Sequence, residues 1–213
     1  MYFMLENTAL TMTYASNVGI IVACAPFFVA VIVGIFFKNE KPGVNFFIGF
    51  VIAIIGIAMI SMNGAKSLHL NPKGDMLAFT AMISWGFYSA VIKKIGEWNY
   101  PTAAVTRRIY FYGMVFLIPV LIEQRVSWNM AQFQKPEIVL NFLFLGVGAS
   151  AMGFFLWNLS TKWIGAIKTS VYIYVSPVVT VVLSVIVLHE KMTFVSAVGA
   201  ILILTGLIVS QKK

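Results

Sequence analysis

The sequence predicts an all-α polytopic membrane protein built as an inverted repeat, with about seven full transmembrane helices and a partial one. Three observations predict it. The composition is 60% hydrophobic and 10% charged, against the ~25% charged residues of soluble domains, which excludes a water-soluble globule. Apolar runs of membrane-crossing length recur along the 213 residues. A set of landmark residues also reappears at an offset of 151.

The runs lie at 1–13, 17–37, 44–62, 76–95, 103–122, 138–161, 167–188 and 194–210. At about 1.5 Å per residue the first covers only ~20 Å, short of a ~30 Å hydrocarbon core, and it carries Glu6 and Asn7. The second holds Cys24 and, near its middle, Pro26. A proline there removes one backbone bond and frees the carbonyl four residues back, Val22. The third presents Gly49 and Gly56 seven apart on one face, where a neighbouring backbone can come close. The fourth places Trp85 and Tyr88 three apart and therefore side by side. Arg107 and Arg108 in the fifth read as topology determinants. The sixth contains Trp157 and Asn158, and its "GVGASAMG" has no preceding strand, so it is no dinucleotide loop. The seventh places Lys168, Tyr172 and Ser176 at one-turn spacing and kinks at Pro177, which frees Ile173. The eighth repeats the glycine pair as Gly199 and Gly206. Linkers such as "KNEKPG" and "GEWNYPT" carry the turn residues between runs.

The formal charge is +8, but the 15 Lys and Arg stand singly or in pairs at the ends of apolar runs. No basic stripe exists, so a nucleic-acid partner is excluded and the bilayer is the expected environment. With Lys212 and Lys213 on the inner side, ten Lys and Arg fall there and five, including Lys66, Arg125 and Lys191, on the other. That bias predicts a cytoplasmic C-terminus in the cell membrane. One cysteine allows neither a disulfide nor a cysteine metal site within the chain. "HEKMT" lacks a second zinc-binding histidine, with His69 far away, and no set of catalytic partners is visible; neither an enzyme nor a metal or other cofactor is expected.

Laying "LENTALTMTYASNVGIIVACAP" (5–26) on "LWNLSTKWIGAIKTSVYIYVSP" (156–177) matches Leu5, Asn7, Ala15 and Pro26 with Leu156, Asn158, Ala166 and Pro177. After one residue of slippage Glu40-Lys41 meets Glu190-Lys191, and Gly49 and Gly56 meet Gly199 and Gly206. Five crossings separate the two proline spans, and an odd number makes the copies antiparallel. Inverted repeats of this kind are a common transporter architecture with the substrate near the midplane. Met1 aligns with Met152 whereas the second copy begins near Lys73 or Gly74. The first copy is therefore expected to lack roughly 78 residues, with Met1 not the natural start.

The stretch from "LENTAL" to "GFVIAIIGIAMIS" and its partner "GAIKTSVYIYVSPVVTVVLSVIVLHEKMTFVSAVGAILILTGLIV" resemble the ends of two EamA domains of the drug/metabolite transporter superfamily. The small-polar entry, mid-span proline, Glu-Lys turn and glycine-bearing closing span carry the resemblance, which covers essentially the whole chain. It implies a ten-span carrier of two five-span repeats with both termini cytoplasmic, in a family that mostly exports amino acids and other small metabolites. Here residues 1–64 would be the C-terminal part of the first repeat and 72–212 the complete second. The incomplete front departs from the family pattern and keeps open a second reading, a non-transporting fragment or accessory membrane subunit.

The expected function is therefore a secondary transporter, an exporter of small metabolites, amino acids or drugs working by alternating access. A small molecule is the expected partner, and a homodimer is left open. An acid at mid-membrane costs about 2.5–3.5 kcal/mol, so it normally faces protein or water and handles a proton or a cation. Glu6 and Asn7 are the sharpest candidates on that ground. Trp157 and Asn158 stand opposite them in the repeat, and Trp85, Tyr88, Tyr172 and Ser176 supply the remaining pocket wall. Pro26 and Pro177 are expected to shape the cavity as helix kinks.

Overall fold

The computed structural model describes residues 1–38, 40–63, 71–123, 135–187, 189 and 192–212. Lys66, His69, Arg125, Glu190, Lys191 and Lys213, used in the orientation, metal-site and repeat arguments, lie outside them. The described residues form α1 (Tyr2–Met12), α2 (Ala15–Phe36), α3 (Val44–Asn63) and α4 (Pro72–Glu97). They continue as α5 (Thr102–Glu123), α6 (Pro136–Ile164), α7 (Ala166–Val187) and α8 (Phe194–Gln211). Among them, seven helices are long and apolar enough to cross a membrane, whereas α1 has 11 residues. The chain is a multi-pass helical membrane protein, and each helix falls on one of the apolar runs.

Helix ends follow local chemistry. Prolines open α4 and α6 in the first turn, where their missing N–H is not needed. Thr193 caps α8 by accepting the Ser196 N–H at 3.1 Å. Gly165 precedes α7 at φ +88°, a left-handed conformation that favours glycine. The Glu40 carboxylate stands beside this residue, its oxygens 3.4 and 3.5 Å from where a Gly165 Cβ would be. The Glu-Lys turn thus places an anion at the positive end of α7. Residues 144–152 of α6, including most of "GVGASAMG", wind as a π-helix.

Both proline helices are interrupted, and the breaks correct a detail of the sequence reading. The Val22 carbonyl, expected to be freed by Pro26, shares the Cys24 N–H with Ile21, which takes it at 3.0 Å, and Ile173 shares the Val175 N–H with Tyr172. The donors lie two residues before each proline, at matching positions of the repeat. Tighter local winding re-satisfies the carbonyl that proline abandons. Pro26 therefore begins a second helical segment, Ala25–Phe36, while Pro177 sits in the first turn of Val175–Val187 behind the 3₁₀ turn Tyr172–Tyr174.

The chain divides into two compact units, Met1–Val91 with Ile164–Lys213, and Ile92–Trp163. In the first, α3 and α8 pack backbone to backbone. A Cβ on Gly56 would stand 2.5 Å from the Gly199 carbonyl oxygen, and one on Gly206 would stand 2.5 Å from that of Gly49. Gly49 faces Gly206 and Gly56 faces Gly199, so the helices are antiparallel. Each glycine meets the repeat-partner of the other, which is the signature of a two-fold relation. Ala53, Ile57 and Ile203 fill the seam and join Ala23, Ala30, Phe46, Val171 and Tyr174 in one core. In the second unit α5 and α6 are joined by a buried hydrogen bond from Asn158 Nδ2 to Thr106 Oγ1 at 3.0 Å. Tyr110 and Phe154 stack edge-on there with ring centroids 6.0 Å apart.

Candidate functional site

The first unit brings α1, α2, α4 and α7 together around Ala25, Ala81 and Met82, all buried. Small side chains decide this meeting. Ala9 of α1 and Ala78 of α4 are fully buried with Val18. Gly86 lets α4 approach α2 until an added Cβ would stand 2.6 Å from Ile32 Cδ1 and 3.1 Å from the Phe28 carbonyl oxygen. Onto this core Tyr2, Leu5, Trp85 and Ile173 pack as half-buried neighbours.

The outcome is a row of three aromatic rings. Tyr2 lies 4.9 Å from Trp85, centroid to centroid, and Trp85 lies 5.2 Å from Tyr88. Glu6 is half-buried one helical turn after Tyr2, whose phenol is its polar partner. A carboxylate at the end of an aromatic row is a combination suited to a cation. The charge supplies Coulomb attraction, and each ring face adds a quadrupole term of about 0.5–2 kcal/mol.

Other candidate residues are distributed differently. Asn7 is exposed while its repeat-partner Asn158 is buried with its amide given to Thr106. Two equivalent asparagines thus have different surroundings, because α1 fully buries only Ala9 whereas Asn158 lies between α5 and α6. Trp157 is half-buried in the second unit. Tyr172 and Ser176 share a face, as their spacing requires, but that face is exposed. The residue buried in their place is Tyr174, at 0% exposure. One signal could have found it: its repeat-partner is Ala23, with which it shares a core, a large side chain occupying the room a small one leaves.

A polar cluster also escaped the sequence reading. At the start of α4, Asp75 Oδ1 accepts the Thr13 hydroxyl at 2.8 Å and Asp75 Oδ2 accepts the Asn71 N–H at 3.1 Å. Asn71 Nδ2 donates to the Met12 carbonyl at 2.6 Å, and Asn17 Nδ2 donates to Thr13 Oγ1 at 3.3 Å. These bonds fasten the α1–α2 junction to α4 beside an open depression of about 460 Å³ lined by Met12, Pro72, Lys73, Met76, Leu77 and Thr80. Asp75 stands just before the apolar run 76–95 in the sequence, and only the folded chain brings Thr13 to it.

The profile of the EamA-like transporter family matches residues 1–62 and 72–211. The uncharacterized transporter YcxC of Bacillus subtilis is 25% identical over 218 residues, covering 99% of this chain and 69% of that protein. A probable amino-acid metabolite efflux pump of Salmonella typhimurium is 23% identical over 189 residues, covering 86% of this chain and 63% of the pump. The chain therefore spans about two thirds of the length of these relatives. A protein crystal structure superposes with a TM-score of 0.84 at 18% identity, covering 99% of this chain and 71% of the other, and shows the same fold.

Proposed function

The chain belongs to the EamA-like transporter family, and from that membership we propose that it is a secondary carrier exporting small metabolites, amino acids or drugs. The chain works by alternating exposure of a site between inverted repeats, with its C-terminus in the cytoplasm of a cell-membrane protein. The observation that carries this reading is the aromatic row ending at Glu6, set against the two broken helices α2 and α7. A cation or a substrate ammonium rests on Tyr2, Trp85 and Tyr88 and is neutralised by Glu6. The interruptions at Cys24 and at Tyr172–Tyr174 provide backbone that changes conformation at lower cost than a continuous helix. Asn7, Tyr172 and Ser176, exposed in the first unit, belong to the site in the states that open it, and the two-fold seam of α3 and α8 is the scaffold about which the halves move.

A resistance and efflux screen tests the proposal. Cells expressing the protein are challenged with toxic concentrations of amino acids, organic amines and cationic drugs. Rescue by at least one class, accompanied by lowered intracellular accumulation, is the expected result. Accumulation equal to that of control cells across all classes, with the protein present in the membrane, would overturn it.

A further inference from the structure

Helix α1 carries Tyr2 and Glu6, and α4 carries Trp85 and Tyr88, so the aromatic row exists only while these two helices keep one register. They meet directly at two places. At one, the Tyr2 and Trp85 ring centroids lie 4.9 Å apart. At the other, Thr13 Oγ1 donates to Asp75 Oδ1 at 2.8 Å. Gly74 admits this junction so closely that an added Cβ would stand 2.8 Å from Thr13 Cβ and 3.0 Å from Met12 Cβ. Thr13 lies 11 positions after Tyr2, and Asp75 lies 10 before Trp85. Antiparallel helices with nearly equal counts between two contacts stay in step along the whole stretch. The fully buried Ala9 and Ala78, members of one cluster, fall between the two contacts.

The two contacts differ in what they can fix. Ring faces and alanine methyl groups attract with little directionality, and in an apolar medium they leave α1 able to slide or turn on α4. Hydrogen bonds are directional. Thr13 Oγ1 donates to Asp75 and also accepts from Asn17 Nδ2, with Thr13 at 9% and Asn17 at 5% exposure. Asp75 Oδ2 accepts the Asn71 N–H, and Asn71 Nδ2 donates to the Met12 carbonyl. The end of α1, the start of α2 and the start of α4 thus share one set of bonds, and breaking it strands buried polar atoms. A slip of one residue would move α1 by ~1.5 Å and turn it by ~100°. That slip would break the bonds at Thr13 and carry Tyr2 off Trp85 together.

We propose that Thr13 and Asp75 are positioning residues for the cation site: their hydrogen bond fixes the register of α1 on α4 and so aligns Tyr2 and Glu6 with Trp85 and Tyr88. The proposal rests on the carrier reading above. Thr13 stands seven positions after Glu6, ~10 Å along the helix, and acts on the transported molecule only through α1.

Two measurements test it. In the first, Tyr2→Cys and Trp85→Cys are combined in a Cys24→Ser background, Cys24 being the one cysteine of the chain, and a short bis-methanethiosulfonate reagent joins them. Adding Thr13→Val, which removes the hydroxyl at nearly constant shape, should lose most of the cross-linked product, whereas adding Thr13→Ser should retain it. A yield unmoved by Thr13→Val, or lowered equally by Thr13→Ser, overturns the inference and leaves the carrier reading standing. In the second, 2-phenylethylamine transport is followed in membrane vesicles. Thr13→Val and Asp75→Leu should each raise KM ~3- to 30-fold, the loss of a ring face from the site, with kcat within about twofold of the wild type. Thr13→Ser should bring KM back. A fall in kcat with KM unchanged is what damaged folding alone produces, and it overturns the inference. A wild type that exports other members of the screen but not this amine also overturns it, alone. A wild type that exports nothing overturns the carrier reading with it.

Discussion

Replacing Gly206 by alanine puts one methyl group into the closest approach between α3 and α8. The new Cβ would stand 2.5 Å from the Gly49 carbonyl oxygen, 2.6 Å from the Ala53 nitrogen and 2.8 Å from the Ala53 Cβ. Ordinary contact begins near 3.4 Å, so the methyl group arrives roughly 0.9 Å too close. The three atoms it meets first are backbone or an alanine Cβ, so none of them can rotate away and the helices must part. A gap of 0.5–1 Å forfeits about a quarter to a half of each dispersion contact, worth ~0.1–0.2 kcal/mol per atom pair, along the whole seam. The overpacking cost is then about 1–3 kcal/mol, partly offset by the roughly 1 kcal/mol by which alanine surpasses glycine in a helix. Gly19→Ala is the control, because a Cβ there meets nothing within 4 Å and should leave stability level or raise it by up to ~1 kcal/mol. Thermal unfolding of the purified protein in detergent reads the difference. At about 2–4 °C per kcal/mol for a chain of this size, Gly206→Ala should melt several degrees below Gly19→Ala. The two-fold relation adds a second requirement. Gly56→Ala and Gly199→Ala should behave like Gly206→Ala, and Gly49→Ala combined with Gly206→Ala should cost less than the two separately, since one separation of the helices admits both methyl groups. A Gly206→Ala protein melting at or above the Gly19→Ala protein would refute the backbone-to-backbone seam.

Three further outcomes are expected. Glu6→Gln should insert normally by size-exclusion profile yet lower transport of a cationic or zwitterionic substrate by ~10- to 100-fold; transport that matches the wild type at every pH would remove Glu6 from the site. Asn158→Leu strands the Thr106 hydroxyl in a buried site and should cost about 1–3 kcal/mol, while Asn7→Leu, at an exposed position, should stay within ~0.5 kcal/mol; equal losses in the two melting curves would contradict their different surroundings. Gly165→Ala forces a side chain into φ +88° beside the Glu40 carboxylate and should cost about 1–2 kcal/mol in thermal stability, with an unchanged melting temperature counting against the strained start of α7.

The helices, their order and the two breaks were legible because they follow from one-dimensional quantities. The length of an apolar run sets whether a helix spans a bilayer, and proline removes its hydrogen bond wherever it stands. The repeat of Pro26 as Pro177, and of Gly49 and Gly56 as Gly199 and Gly206, carried the two-fold architecture. Spacing also placed Trp85 beside Tyr88. It left open which faces would be buried, because membrane helices are apolar all round and carry little contrast between an inner and an outer face.

What the sequence by itself determined, then, is a multi-pass helical protein with paired proline breaks and paired glycine faces. Tertiary structure alone decided what those faces meet: Gly49 on Gly206, Tyr2 on Trp85, Thr13 on Asp75, Glu40 at Gly165. It separated Asn158, committed to Thr106, from its exposed partner Asn7, and turned Tyr174 inward where spacing had drawn attention to Tyr172. The physical reason is that these contacts join residues tens of positions apart across helix surfaces of similar polarity. Close packing of small residues and the need to satisfy each buried polar group choose among such pairings, and neither is expressed until the helices are assembled.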